Sequence, residues 1–245
     1  MKPKIAFFDF TGCEGCQLEV LNFETELVDL LNLVDIVNFR EAMTERSDDY
    51  DIAFIDGAIS TESDIARIKA IRDQAKILVT IGSCSSLGGV NCLKNFYPMK
   101  EVLKIVYGKD AKYYNTIPAR PVSAVVPVDY SLPQCPVNRF EFINLTKALL
   151  LGKKPERPNY PVCVECKLAE NGCVFDKGGT CLGPVTRAGC GAICITNGRH
   201  CWGCRGLVDE PNINSEKEIL KEHGLTVEDM LKKFRIYDGW LEVSK

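Results

Sequence analysis

The chain has 245 residues, 46% of them hydrophobic, enough for one large domain or for a domain with a smaller companion. Thirty basic residues against 33 acidic ones give a formal net charge of -3, without the basic excess expected of a nucleic-acid binder. No apolar run reaches the roughly 18 residues of a membrane span. The opening Met1-Lys2-Pro3-Lys4 lacks the apolar stretch and small-residue cleavage site of an export signal, so a cytoplasmic protein is expected.

In chain order, residues 4–10 read as a buried strand, followed by the turn Thr11-Gly12-Cys13-Glu14-Gly15-Cys16. Leu18, Leu21, Leu27, Val28 and Leu31 recur at helical spacing over 17–32. Residues 33–39 and 51–57 give a second and a third strand. Thr61 with Asp64 caps a helix that runs to about Gln74. A fourth strand at 76–82 ends at Ser83-Cys84, and the glycine-rich 85–97 reads as a loop containing Cys92. A short helix follows Pro98, to about Tyr107, and 110–121 is irregular. A weaker fifth strand is expected at 122–129, where Pro127 argues for an edge or a strand end. Cys135-Pro136 and a helix over 138–151 follow. Strands alternating with helices imply a parallel sheet with helices on both faces.

Residues 152–161 hold three prolines and mark a boundary, dividing the chain into 1–152 and 153–245. Eight cysteines then fall between Cys163 and Cys204: Cys163, Cys166, Cys173 and Cys181, then Cys190, Cys194, Cys201 and Cys204. Each set of four contains one C-x2-C pair, and four thiolates complete a tetrahedral zinc site or hold one 4Fe–4S cluster. Glycine-rich loops separate them, few apolar residues accompany them, and the metal is expected to supply the folding energy. Helices near 215–222 and 226–234 close the chain, with Ser215–Glu218 and Thr226–Asp229 as caps.

Thirteen cysteines in a reducing compartment favour metal over disulfides, and the odd count forbids full pairing. There are two histidines, His200 and His223, so the ligands must be mostly sulfur, which excludes most catalytic zinc and non-haem iron sites. Cys13 and Cys16 follow the first strand, Cys84 the fourth and Cys135 the fifth. In an open parallel sheet these positions share the carboxyl edge, where such sheets bind ligands. Twelve cysteines thus fall into three sets of four. Cys92 has no such placement and reads as a structural thiol. His200 reads as a hydrogen-bond donor beside the ligands, and Arg187 and Arg205 as counter-charges or exposed residues. Neither G-x-G-x-x-G nor a G-x-x-x-x-G-K-[ST] phosphate loop is present. Spacing alone leaves zinc and iron–sulfur open for the last eight cysteines; the convergent set in a domain that already has a core favours iron–sulfur.

Thr-Gly-Cys13-Glu-Gly-Cys16, Gly-Ser-Cys84, Gln-Cys135-Pro136 and the run from Cys181-Leu-Gly-Pro-Val-Thr-Arg-Ala-Gly-Cys190 to Cys201-Trp-Gly-Cys204-Arg-Gly resemble the small, electron-transferring subunit of nickel–iron hydrogenases over almost the whole chain. The resemblance is greatest to the cytosolic sulfhydrogenases, linked to NAD(P). It implies a flavodoxin-like α/β domain followed by a loop-rich iron–sulfur domain with little regular structure. It also implies three 4Fe–4S clusters: a proximal one on Cys13, Cys16, Cys84 and Cys135, a distal one on Cys163, Cys166, Cys173 and Cys181, and a medial one on Cys190, Cys194, Cys201 and Cys204. Cys163 stands where the periplasmic branch has histidine, and Cys194 supplies a thiolate that branch lacks. No twin-arginine signal is seen. The implied partners are a nickel–iron large subunit, which would cleave dihydrogen, and flavin/NAD(P) and further iron–sulfur subunits; no catalytic residue is expected in this chain. The rival readings are a circuit feeding F420 or a heterodisulfide reductase, and a structural zinc module on a flavodoxin-like domain.

Overall fold

The computed structural model describes residues 2–244. Five parallel strands, β1 (Lys4–Asp9), β2 (Asp35–Phe39), β3 (Ile52–Asp56), β4 (Ile77–Ile81) and β5 (Tyr130–Leu132), form one sheet in the order β2-β1-β3-β4-β5. Every adjacent pair is parallel. This is the flavodoxin-like order, whose strand direction of travel reverses between β1 and β3. The strands read as unbroken apolar runs because helices cover both faces; all five residues of β3 are buried.

One face carries α1 (Gly15–Leu21), α2 (Glu24–Leu31) and α6 (Arg139–Leu150) over a core that includes Phe7, Phe39, Phe54 and Phe142. Phe7 stacks on Phe39 at 4.2 Å and on Phe54 at 5.1 Å between ring centroids. The other face packs α3 (Glu62–Gln74) through Ile68 and Ile71 against Ala53, Ile55 and Leu78. The Thr61–Asp64 capping box opens α3, as its sequence predicts.

Three expectations are corrected. The segment 122–129 is not the fifth strand: Val122–Ala124 is a single 3-10 turn and pairing starts at Tyr130. Pro121 and Pro127 offer no N–H to a ladder, and Asp129 closes the gap, its N–H donating to Leu78 O and its carboxylate accepting from Leu78 N–H. The single helix over 17–32 is two helices, α1 and α2, because the chain breaks at Asn22–Phe23 to bury Phe23. Leu18, Val28 and Leu31, part of the apparent apolar stripe, are exposed. The loop at 85–97 is helical, with α4 (Gly82–Leu87) and a 3-10 segment (Gly89–Phe96) joined at Gly88, whose φ of 85° favours glycine.

The helix α5 (Met99–Tyr107) precedes β5, as expected after Pro98. Beyond the proline-rich linker, the cysteine-rich part holds α7 (Val162–Leu168) and α8 (Ile193–Thr196), then α9 (Ile213–Glu222) and α10 (Val227–Val243). This part does have a small core: Val162, Phe175, Leu182, Ile195, Leu220 and Met230 pack with the buried cysteines. The helix α10 runs past the expected end near 234 and folds back against α4 and the Gly89–Phe96 segment. Among the described residues no helix is long and apolar enough to cross a membrane.

Candidate functional site

None of the thirteen cysteines is paired in a disulfide. Cys13 lies exposed on the turn after β1, and Cys16 is buried in the first turn of α1. Glu14 between them takes a left-handed φ of 59°, which folds the turn back so that both thiols leave the same end of the sheet. Cys84 sits in α4, which follows β4 directly, and Cys135 is exposed after β5. The sheet topology therefore carries all four to its carboxyl edge. They feel one another: beyond the effect of burial, Cys84 and Cys135 raise the Cys16 thiol, and Cys135 and Cys13 raise Cys84, which is pushed up to about 12. Glycines crowd this group. A Cβ on Gly82 would stand 2.3 Å from the Cys16 sulfur, and one on Gly15 would stand 3.3 Å from the Cys13 sulfur.

Two buried polar residues flank the first group. Gln17 is 1% exposed and neither side-chain polar atom has a partner. Asp56, at the end of β3, is pushed up to about 6, chiefly by burial, with its Oδ2 unpaired. Glu14 shares a hydrogen bond with Glu41, which, with burial and the second carboxylate's charge, raises its pKa.

The second group rings a cavity. Cys163, Cys166, Cys173 and Cys181 line about 120 Å³ together with Val162, Phe175 and Ile195. Cys163 and Cys166 come from α7, one turn apart. The Cys181 sulfur accepts N–H bonds from Gly183 at 3.4 Å and Cys201 at 3.2 Å. A Cβ on Gly183 would lie 3.3 Å from the Cys181 sulfur and 3.4 Å from that of Cys163, so only glycine gives the loop this approach at ease. The third group, Cys190, Cys194, Cys201 and Cys204, lines a smaller cavity of about 40 Å³, with Cys135 at its rim. The backbone amides of Ala192, Gly203 and Cys135 oppose the rise that burial imposes on the thiols of Cys190, Cys201 and Cys204, respectively.

Among the described residues no three His, Cys, Asp or Glu side chains are arranged to hold a metal ion. A tetrahedral zinc site would bring its sulfurs to about 3.8 Å of one another, from Zn–S bonds near 2.3 Å, and would close the space they enclose. Four thiols standing around 120 Å³ fit a larger inorganic group. The donor chemistry fits as well, since iron–sulfur clusters take cysteine thiolates and N–H bonds to their sulfurs. Burial raises most of these thiols, Cys204 to about 12 and Cys163 to about 11, so loading any metal group must expel their protons.

The remaining residues singled out in the sequence fall elsewhere. Cys92 is fully buried and lines neither cavity, and its Sγ–H donates to Ala119 O at 3.2 Å. His200 packs tilted against Trp202, 4.1 Å between ring centroids, and its Nε2 is buried without a partner, so that nitrogen donates to no sulfur. Arg187 and Arg205 are both buried, not exposed. Arg187 binds Pro158 O, Asn159 and Asp209. Arg205 forms a two-bond pair with Glu141 of α6, both at 2.8 Å, and reaches Gln134 beside Cys135 and Ala188 O beside the third group. It thereby ties the sheet domain to the cysteine-rich part.

Residues without a sequence signal also shape the site. Glu165, inside the C-x2-C of α7, accepts N–H bonds from Gly189 and Gly191 at 2.8 and 2.9 Å and fixes the loop that presents Cys190. Glu216, on α9, is 1% exposed, and neither carboxylate oxygen has a partner. Burial pushes it up to about 7.

Comparison with known proteins matches residues 13–149 to the family described as NADH ubiquinone oxidoreductase, 20 Kd subunit. Over 97% of its length the chain is 35% identical to sulfhydrogenase 2 subunit delta of Pyrococcus furiosus, which it covers completely. It is 32% identical to a subunit of the F420-non-reducing hydrogenase vhu of Methanocaldococcus jannaschii, over 84% of this chain and 83% of that one. Among solved structures, a chain of an NAD+-reducing [NiFe]-hydrogenase in the H2-reduced state superposes with a TM-score of 0.58 at 25% identity, over 64% of this chain and 96% of that one.

Proposed function

The chain belongs to the NADH ubiquinone oxidoreductase 20 Kd subunit family, as a hydrogenase small subunit, and from that premise we propose that its twelve grouped cysteines hold three 4Fe–4S clusters forming a relay. The proximal centre is assigned to Cys13, Cys16, Cys84 and Cys135, the medial to Cys190, Cys194, Cys201 and Cys204, and the distal to Cys163, Cys166, Cys173 and Cys181. When bound, such clusters take up and release single electrons at potentials set by charge, exposure and hydrogen bonds to sulfur. The observation that carries the reading is the three separate gatherings of four thiols, at one sheet edge and around two cavities.

The chain's own residues then have distinct tasks. Cys13 and Cys135 lie exposed at the sheet edge and face the partner that supplies electrons, a nickel–iron large subunit. The apolar wall of Val162, Phe175 and Ile195 keeps water from the distal group. N–H groups of Gly183, Cys201, Ala192 and Gly203 stabilise negative charge on sulfur. The 1–152 and 153–245 segments serve as proximal and medial–distal domains, held together at Arg205. Electrons leave towards a flavin/NAD(P) subunit in the cytoplasm, through further iron–sulfur subunits. A circuit that does not end on NAD(P) is the second reading, favoured by the likeness to the vhu hydrogenase of Methanocaldococcus jannaschii.

The relay is tested in the complex purified with its partner subunits. Cys163→Ser is expected to abolish reduction of NAD(P) by dihydrogen while leaving hydrogen–deuterium exchange at the large subunit intact. Undiminished NAD(P) reduction by a Cys163→Ser, Cys194→Ser double variant would refute it. Reduction of another acceptor in place of NAD(P) by the unaltered complex selects the second reading. Expressed without partners, the chain is expected to retain iron in the two cavity groups and lose it from the exposed proximal group; a fully loaded, stable monomer would contradict the assigned large-subunit face.

A further inference from the structure

The connection between β2 and β3, residues 40–51, contains no helix. Parallel strands are ordinarily joined by a crossover helix that covers the sheet. On this face α3 packs over β3 and β4. Beside it, over β1 and β2, a cavity of about 760 Å³ is left. Its volume lies within the range of small-molecule sites, about 300–1,000 Å³, and no cysteine lines it.

The floor is polar at one point. The β1–β2 register skips Val37, pairing Ile5 with Ile36 and then Ala6 with Asn38. This irregularity sets Asn38 on the face of Ala6, which belongs to the α3-side core. Asn38 is 9% exposed and lines the cavity together with the buried rings of Phe8 and Tyr50. Its side-chain amide has no hydrogen-bond partner among the described residues, although a polar group so buried normally has one.

Three arginines, Arg40, Arg46 and Arg67, line the same cavity. Two of them converge on Asp9, at the carboxyl end of β1, the edge where such a sheet takes ligands. Arg40 Nη1 donates to Asp9 Oδ2 at 3.0 Å, and Arg67 Nη1 donates to Asp9 O at 2.7 Å. Arg46 forms no ion pair among the described residues. Three guanidiniums thus face two lining carboxylates, Asp9 and Asp48, and one cation is left over.

We propose that this cavity is a phosphate site, which takes a small phosphate-bearing molecule through Arg40, Arg46, Arg67 and the Asn38 amide. A guanidinium fork matches two phosphate oxygens at once, and converging forks suit a tetrahedral dianion better than a planar carboxylate. The cavity exceeds what one phosphate needs, and Phe8, Tyr50 and Ile71 give it an apolar wall for a carbon skeleton. The site is independent of the cluster assignment.

The test is hydrogen–deuterium exchange read by peptide mass spectrometry, on the complex purified with its partners. Peptides of this chain report the site separately from any nucleotide site in a partner. Ribose 5-phosphate, an ester without a base, is the probe, compared with inorganic phosphate and uncharged ribose. At about ten times its dissociation constant it is expected to slow amide exchange across residues 40–51 about tenfold, because opening must first release it. Slowing by ribose 5-phosphate where inorganic phosphate has no effect assigns the site to an ester, and equal slowing by both assigns it to the free anion. Arg46→Gln, at an exposed position, is expected to weaken binding about tenfold or more, the worth of a charge-assisted hydrogen bond. Ala70→Glu, on the exposed surface of α3, adds a carboxylate to the cavity lining and is expected to abolish the slowing. If one variant alters exchange without ligand, the other decides. Slowing that survives these substitutions, slowing that ribose matches, or no slowing by either phosphate in the unaltered complex overturns the proposal.

Discussion

Arg205→Leu is expected to destabilise the protein by about 3–5 kcal/mol, the usual cost of stripping one partner from a buried ion pair. The guanidinium side chain is 0% exposed and meets four acceptor groups: two oxygens of Glu141, Gln134 Oε1 and Ala188 O. A leucine would leave the Glu141 carboxylate without its cation beside the α6 surface that the cysteine-rich part covers. With total stabilities of about 5–15 kcal/mol for a domain, that loss separates the two halves of the molecule. Urea denaturation of the loaded protein would measure it. The double variant Arg205→Leu, Glu141→Leu should recover much of the loss, because no lone charge remains. A single-variant change below about 1 kcal/mol, the range of an exposed pair, would show that Arg205 does not act as the tie.

Gly189 offers an independent check on the same contact. Its φ of 116° lies in the region glycine favours, and a Cβ there would stand 2.2 Å from Arg205 Nη2. Gly189→Ala is expected to displace the guanidinium and lower the melting temperature, as Arg205→Leu does, without altering any cysteine.

The second large effect is Cys84→Ser. It is expected to remove about four iron atoms per chain, one cluster's worth, and to abolish electron passage from the large subunit. Cys84 is some seventy residues from Cys13 and Cys16, and only the sheet topology makes them neighbours. Cys92→Ser is the control: a fully buried thiol, held by Ala119 O and lining neither cavity, whose loss should leave the iron content unchanged. Equal iron loss from both variants would mean that thiol number, not placement, governs loading.

What could be read from the sequence was local or periodic. The apolar runs that become β1, β3 and β4 are strands buried on both faces, and composition alone announces those. The Thr61–Asp64 and Thr226–Asp229 boxes are four-residue patterns and both close as expected, whereas the Ser215–Glu218 cap does not form: α9 starts at Ile213, and the Asn212 side chain accepts from Ser215 N–H. The cysteine spacing displayed the groups because each thiol pair on α7 or on a turn is set by a few intervening residues. The errors came where a distant contact outweighed local preference. Val122–Val126 has strand-like composition, yet Pro121 and Pro127 deny it a ladder, and Val122 and Val126 instead fill the core beside α3. The break between α1 and α2 answers Phe23 packing against Phe140, well over a hundred residues on. The Arg205–Glu141 pair spans 64 residues. No window of sequence contains both partners of such contacts, and neither partner has a residue type that demands the other.

Iron, acid-labile sulfide and zinc content of the anaerobically purified complex, corrected for the metal in its partners, test the central claim most directly. About twelve iron and twelve sulfide per chain, four of each for every group of four cysteines, are expected. Stoichiometric zinc with iron and sulfide near zero would contradict the account and make the cysteine groups structural zinc sites.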